Sequence, residues 1–452
     1  MTILAIDWAG VGVQTLYFIL AFSILVVLHE LGHFLPAKWF RCRVEKFYLF
    51  FNPWFSLVKK KIGETEWGLG WVPFGGYVKI SGMVDESMDK EQLKQPAQPW
   101  EFRAKPAWQR LIIMLGGVTV NVLLAILLFI MISFIWGDRY LPPQNLKFGY
   151  AVDSLGAAVG MKDGDIITRI NGEPVKDALK VVPQIITREA KTITVSRNGQ
   201  EINLEIPESM IRALNDNRTV GFAEVRIQNI VQTVDEKSPN QSLQRGDLIV
   251  AIDSTPAVYA DQLTKALQNY KNRPAVLTVI RDGRQQKLNV RVNEDGKLGF
   301  NRQVAMDSLG FRTELREYSL LEAIPAGWNR CWSTLGTYTT GLRHLFTGKA
   351  DPNKSLGSVI SIGSIFPKKW GEWKDFWTLT AIFSIILAFM NILPIPALDG
   401  GHALFTIIEM VTGRKPGDKF MEYAQMVGMV LLLGLMAYAL GLDFLRVFRN
   451  LF

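Results

Sequence analysis

Residues 29–33 read His-Glu-Leu-Gly-His. Two histidines four positions apart share one face of a helix, so both imidazoles can reach one divalent ion. Glu30 stands beside them and can take a proton from water, which a zinc site acidifies to a pKa of about 7. This is equipment for metal-assisted hydrolysis. The chain has four histidines, His29, His33, His344 and His402, and two cysteines, Cys42 and Cys331. A disulfide framework and a cysteine-based zinc knuckle are thereby excluded. A catalytic ion needs a third protein donor and an open position. The extended pattern with a third histidine on the same helix is absent, because Pro36 and Trp39 occupy its glycine and last histidine positions. The third donor must come from elsewhere: Asp399 in the stretch NILPIPALDGGH, or His402 three residues on. The Pro-x-Pro break and the two glycines aim position 399 and favour Asp399; spacing alone leaves His402 open. Asn391, in the same stretch, carries an amide that can donate to a developing oxyanion or bond a neighbouring helix. Asn121, in LGGVTVN, reads as a structural residue beside Gly116 and Gly117, whose bare backbones let helices approach closely.

The elements that hold these residues are apolar. Residues 11–28, 111–135 and 376–398 are uncharged runs, and a fourth occupies 426–442. Four such runs point to membrane helices rather than buried core helices. The first is expected to be retained and not cleaved as a signal peptide. An ionisable cluster inside a membrane helix is costly and by default functional. Lys38, Arg41, Arg43, Lys46 and Lys59 to Lys61 follow the first run, whereas its N-terminal flank has no Lys or Arg. By the positive-inside rule the N-terminus lies outside, residues 41–107 in the cytoplasm and 138–372 outside. Arg414, Lys415 and Lys419 fall inside; Lys368, Lys369 and Lys374 fall outside and oppose the rule. His344 then lies on the wrong side for a site near the cytoplasmic face. The net charge of +8 is spread along the chain, so nucleic acid is not an expected partner.

Residues 47–80 are rich in aromatic and β-branched residues with Gly and Pro punctuation, and read as strands at the membrane interface, with Trp54, Trp67, Trp71 and Tyr77. An internal repeat follows: GDIITRINGEPV from Gly164 and GDLIVAIDSTPAV from Gly246, 82 residues apart. Each copy later reaches a Gly-Phe pair, Gly221-Phe222 and Gly299-Phe300. The pattern resembles PDZ domains, which add a peptide strand to a sheet edge; the alternative is a pair of spacer domains. Residues 313–372 carry Trp328, Trp332 and Tyr338 at roughly helical spacing. They suit an amphipathic helix on the outer leaflet or one packed on the repeats.

The HExxH motif in a first membrane helix, with LDGG in a later one, resembles the site-2 protease family of intramembrane zinc metalloproteases. The resemblance extends over nearly the whole chain to the bacterial members with four membrane helices, a GGYVK segment and tandem PDZ domains. The resemblance implies Zn²⁺ held by His29, His33 and Asp399, with Glu30 as general base. It implies that Asn391 helps hold the substrate and that the Gly75, Gly76, Tyr77, Val78 strand pairs with it. Implied substrates are single-span membrane proteins already trimmed outside, such as an anti-sigma factor, and signal-peptide remnants, with the PDZ pair as size filter. The implied location is the bacterial inner membrane, with the PDZ domains periplasmic and the active site near the cytoplasmic side. Two positions depart from the family pattern: Ile386 stands where an Asn is frequent, and Gly357-Ser358-Val359 replaces a Ser-Gly-Pro-like segment.

The expected fold is thus a polytopic α-helical membrane protein with a membrane-associated β-hairpin or sheet and two periplasmic α+β PDZ domains. Its expected divisions are a first membrane helix (1–40), the β segment (41–83), a cytoplasmic loop (84–107) and a second membrane helix (108–137). PDZ domains (140–226 and 227–312), an amphipathic segment (313–372), a third membrane helix (373–399), a cytoplasmic loop (400–420) and a fourth membrane helix (421–446) complete it. Two other function classes compete. A non-catalytic PDZ scaffold with a structural metal site would not need Glu30, and a metal transporter would show paired broken helices where only the third run is broken.

Overall fold

In lipid a chain must satisfy its own backbone polar groups, which a helix does within one segment. The apolar runs are helical, the third of them as far as Ile392, in the computed structural model, which describes residues 7–83, 96–216 and 221–451. The helices Trp8–Trp39, Ala107–Trp136, Trp373–Ile392 and Lys419–Phe448 are long and apolar enough to cross a membrane. The first six residues and residues 84–95 of the expected 84–107 loop lie outside the described part. The chain divides into two units, one of Met1–Gly137, Glu317–Thr340 and Leu356–Phe452, the other of Asp138–Arg316 and Gly341–Ser355.

In the first unit the second long helix is the shared partner. It crosses the first helix at Gly32 and Gly116, where a Cβ on either residue would collide with the other's carbonyl. Further along, its Ala125, Phe129 and Ile132 pack with Ala381 and Ile385 of the third helix and with Cys331. The Ser384 hydroxyl donates to the Asn121 carbonyl at 2.7 Å and fixes that crossing. The fourth helix leaves Leu431, Leu433 and Leu435 exposed, an apolar surface suited to lipid. Its buried Asp443 accepts from the backbone and hydroxyls of Ser358 and Ser361.

One expectation changes here. Residues placed in a loop over 400–420 are largely helical, as Asp399–Thr412. That helix buries Ala403 and Thr406, and its Glu409 pairs with the buried Arg110 of the second helix. The amphipathic helix, Leu320–Phe346, lays Gly327 against Ile130 of the second helix and adds Cys331 to the apolar cluster. Trp328 and Trp332 face outward.

The β segment is a sheet of four strands, β1 (Val44–Phe51), β2 (Val58–Ile62), β3 (Thr65–Leu69) and β4 (Val72–Ile80), in the order β2-β3-β1-β4. Strands β1 and β3 run parallel and the other pairs antiparallel. One edge, β2, carries Lys59, Lys60 and Lys61, all exposed; charges of this kind discourage further pairing. The opposite edge is β4.

The second unit contains one arrangement twice. Ile166–Ile170, the short helix Val181–Thr187, Thr192–Arg197 and Gln200–Glu205 recur as Leu248–Ile252, Ala260–Leu267, Pro274–Arg281 and Arg284–Arg291. The Gly-Asp pairs explain the repeated motif. Gly164 and Gly246 adopt φ of 93° and 94°, a region open to glycine. The adjoining Asp165 and Asp247 are buried and gripped by Arg197 and Arg281 at 2.7 and 2.6 Å. Each carboxylate also accepts a backbone N–H, from Lys162 or Gln244. Both copies end in a short strand, Ala223–Val225 or Phe300–Arg302, paired on one side with an earlier strand.

Candidate metal centre

His29 and His33 lie one turn apart on the buried face of the first helix, with rings 4.8 Å apart and nearly perpendicular. Space for them comes from Gly117, where a Cβ would sit 2.5 Å from His33 Nε2 and 2.6 Å from His29 Cε1. His33 Nδ1 is 2.8 Å from the Ile113 carbonyl. A carbonyl only accepts, so Nδ1 carries the proton and Nε2 keeps its lone pair.

The third helix ends at Ile392 and the chain turns sharply before the next helix begins at Asp399. Ala397 takes φ of 81°, a left-handed conformation that costs a non-glycine residue about 1–3 kcal/mol. Gly400 and Gly401 press on the carbonyls of Leu393 and Ile395, where no Cβ fits. The turn delivers Asp399 Oδ2 to within 3.3 Å of His29 Nε2 and 3.2 Å of His33 Nε2. The two Nε2 atoms are 3.3 Å apart. A tetrahedral ion with bonds of about 2.0–2.1 Å holds its donors about 3.3–3.4 Å apart. The three separations therefore fit a zinc-sized ion. Asp399 Oδ2 is buried and makes no regular hydrogen bond among the described residues, which also suits a metal donor.

Glu30 faces a cavity of about 700 Å³ lined also by Asn52, Gly76, Tyr77, Val78 and Met114. Residues Gly76 to Ile80 of β4 line this cavity with Glu30, so an edge strand of the sheet borders the site. Gly75 lies where the β1–β4 register slips, at φ of 93°. Asn391 is close by, its Nδ2 3.5 Å from His29 Nε2. The structure thus gathers His29, Glu30, His33, Asp399, Asn391 and β4. The described cluster of metal-capable donors comprises His29, His33 and Asp399 without His402. His344 belongs to the other unit, where it bonds Glu189 and Asn215. The sequence reading missed two parts of this centre: the Ile113 carbonyl, and Asn121, whose Nδ2 lies 3.1 Å from His29 Nδ1. The available signal was a fully polar side chain inside an otherwise apolar run.

The sequence profile of Peptidase family M50 matches residues 17–435. A Vibrio cholerae protein named "Putative zinc metalloprotease" is 29% identical over 456 residues, covering 95% of this chain and 98% of that protein. A Treponema pallidum protein of the same description is 26% identical over 432 residues, covering 91% and 94%. The "Regulator of sigma-E protease RseP" of Escherichia coli is 25% identical over 452 residues, covering 95% and 98%. The likeness thus runs from the first long helix to the fourth and takes in both halves of the donor set, and the chain belongs to Peptidase family M50, the site-2 proteases.

Proposed function

We propose that this protein is an intramembrane zinc endopeptidase that cuts single-span membrane proteins within or beside their spans. The observation that carries the reading is the donor triangle of His29, His33 and Asp399, sized for zinc, with Glu30 beside it in an open cavity. Zinc held there supplies Lewis acidity to the scissile carbonyl and to water. Glu30 accepts the proton of the attacking water and returns it to the leaving amine. Val78 lies beside Glu30 on the wall of the same cavity. Asn391 Nδ2 donates to the carbonyl oxygen as it gains charge. A helical substrate hides its peptide bonds in its own hydrogen bonds, so it must unwind first. The outer edge of β4, from Gly75 to Val78, offers replacement partners by strand addition.

The repeated α+β arrangements act as tandem PDZ domains on the periplasmic side of a bacterial inner membrane and exclude substrates with bulky outer domains. A membrane anti-sigma factor, a target that suits the printed description of the Escherichia coli relative as a regulator of sigma-E, and signal-peptide remnants are the proposed substrates. The test uses a single-span substrate in membranes, with and without its outer domain. Wild type should cleave the trimmed form, and Glu30→Gln should cleave it at least about 100-fold more slowly, the lower bound for losing a general base. Turnover by Glu30→Gln at the wild-type rate would remove the mechanism. Equal cleavage of both substrate forms by wild type would remove the filter.

A further inference from the structure

Asn121 is fully buried on the second helix, one turn beyond Gly117. Its backbone carbonyl is occupied by Ser384 Oγ, so this turn of the helix is pinned from the other side. Its side chain points at His29, with Nδ2 3.1 Å from Nδ1. Its Oδ1 is buried without a hydrogen-bond partner among the described residues. The two facts conflict with His29 as a metal donor. If Nε2 offers its lone pair toward Asp399 and His33, the single proton of a neutral imidazole sits on Nδ1. Nδ1–H then faces an N–H of Asn121, donor against donor, while the Oδ1 acceptor is stranded. Turning the amide over exchanges the two atoms within nearly the same volume and resolves both faults at once.

We propose that Asn121 is a positioning residue for the metal centre, its Oδ1 accepting the Nδ1–H of His29 and holding that ring in the tautomer that leaves Nε2 free for the ion. His33 is served in the same way by the Ile113 carbonyl, four residues before Gly117 on the same helix. The second helix therefore supplies both proton acceptors behind the two histidines and, at Gly117, the space in front of them. The inference rests on the reading of His29, His33 and Asp399 as zinc donors.

The test is zinc competition against a chelator on purified full-length protein, with apo-protein thermal unfolding measured in parallel. Outer hydrogen-bond partners of metal-bound histidine are worth about 10–100-fold in affinity. Asn121→Ala should lose zinc affinity by that factor with little change in apo-protein unfolding. Asn121→Asp, which restores an acceptor, should recover affinity to within a few-fold of wild type. The visible absorption of the cobalt-substituted protein should change in Asn121→Ala and return in Asn121→Asp. Wild-type affinity in Asn121→Ala overturns the proposal, as does an equal loss in both variants that follows their loss of folded protein. Wild-type protein that binds no zinc overturns this proposal together with the donor assignment beneath it; wild-type zinc binding with an indifferent Asn121→Ala overturns this one alone.

Discussion

At the scale of single residues, the HExxH pair was legible because its geometry is local: four positions of a helix fix it. The third candidate donor was legible in part: the Pro-x-Pro break and the two glycines favoured Asp399, while spacing left His402 open. Asp399 and His402 are separated by three residues, and only the turn through Ala397 decides which one faces the first helix. Asp399→Asn should cost more than about 100-fold in zinc affinity, beyond the range of an outer partner, whereas His402→Ala should stay near wild type. Zinc content of the two purified variants measures this. Gly117→Ala tests the room in front of the rings. The added methyl would sit 2.5 Å from His33 Nε2, so zinc affinity and cleavage should fall together. Ile113 gave no signal in the sequence and Asn121 read as structural, because what each one faces depends on how two helices are rotated against each other.

At the scale of elements, the spans were readable from hydropathy and the repeat from its Gly-Asp spacing. The parallel β1–β3 pairing was not, because register across a sheet is set by partners distant in sequence. Nor was the helix from Asp399, since the prolines before it and the glycines within it read as a break. Close crossing of the first two helices predicts that Gly116→Ala will destabilise the protein by about 1–3 kcal/mol, the usual range for overpacking; thermal unfolding in detergent reads it. A second prediction concerns the end of the Leu320–Phe346 helix. Partial burial of Glu189 opposes its ionisation, but the hydrogen bond from His344 and the charges of Lys349 and Arg343 outweigh this and hold its carboxyl below the ordinary value. Lys349 also reaches Glu208. A depressed carboxylate contributes stability that is complete above its unfolded pKa of about 4.3 and is lost as pH falls through the lower folded value. Thermal unfolding as a function of pH should therefore show a smaller acid loss for Glu189→Gln than for wild type.

At the scale of the whole molecule, the proposed division of labour is testable by damaging one repeat and leaving the metal centre alone. Asp247 is wholly buried beneath Arg281, and removing it takes the carboxylate acceptor from the Arg281 guanidinium and from the Gln244 N–H. Asp247→Ala should loosen the second repeat, seen as faster proteolysis there, and raise cleavage of untrimmed substrate toward that of trimmed substrate. An unchanged ratio with the repeat loosened would separate the repeats from substrate choice. The donor set also has a temporal side. His29 and His33 leave the ribosome before Asp399, which follows His33 by 366 residues. The first helix can enter the membrane with its histidines exposed to neighbouring spans, yet it lacks the carboxylate that closes the centre. On the proposed reading the donor set therefore closes only once the third span has been made, and a chain released before that point would carry two of the three proposed donors.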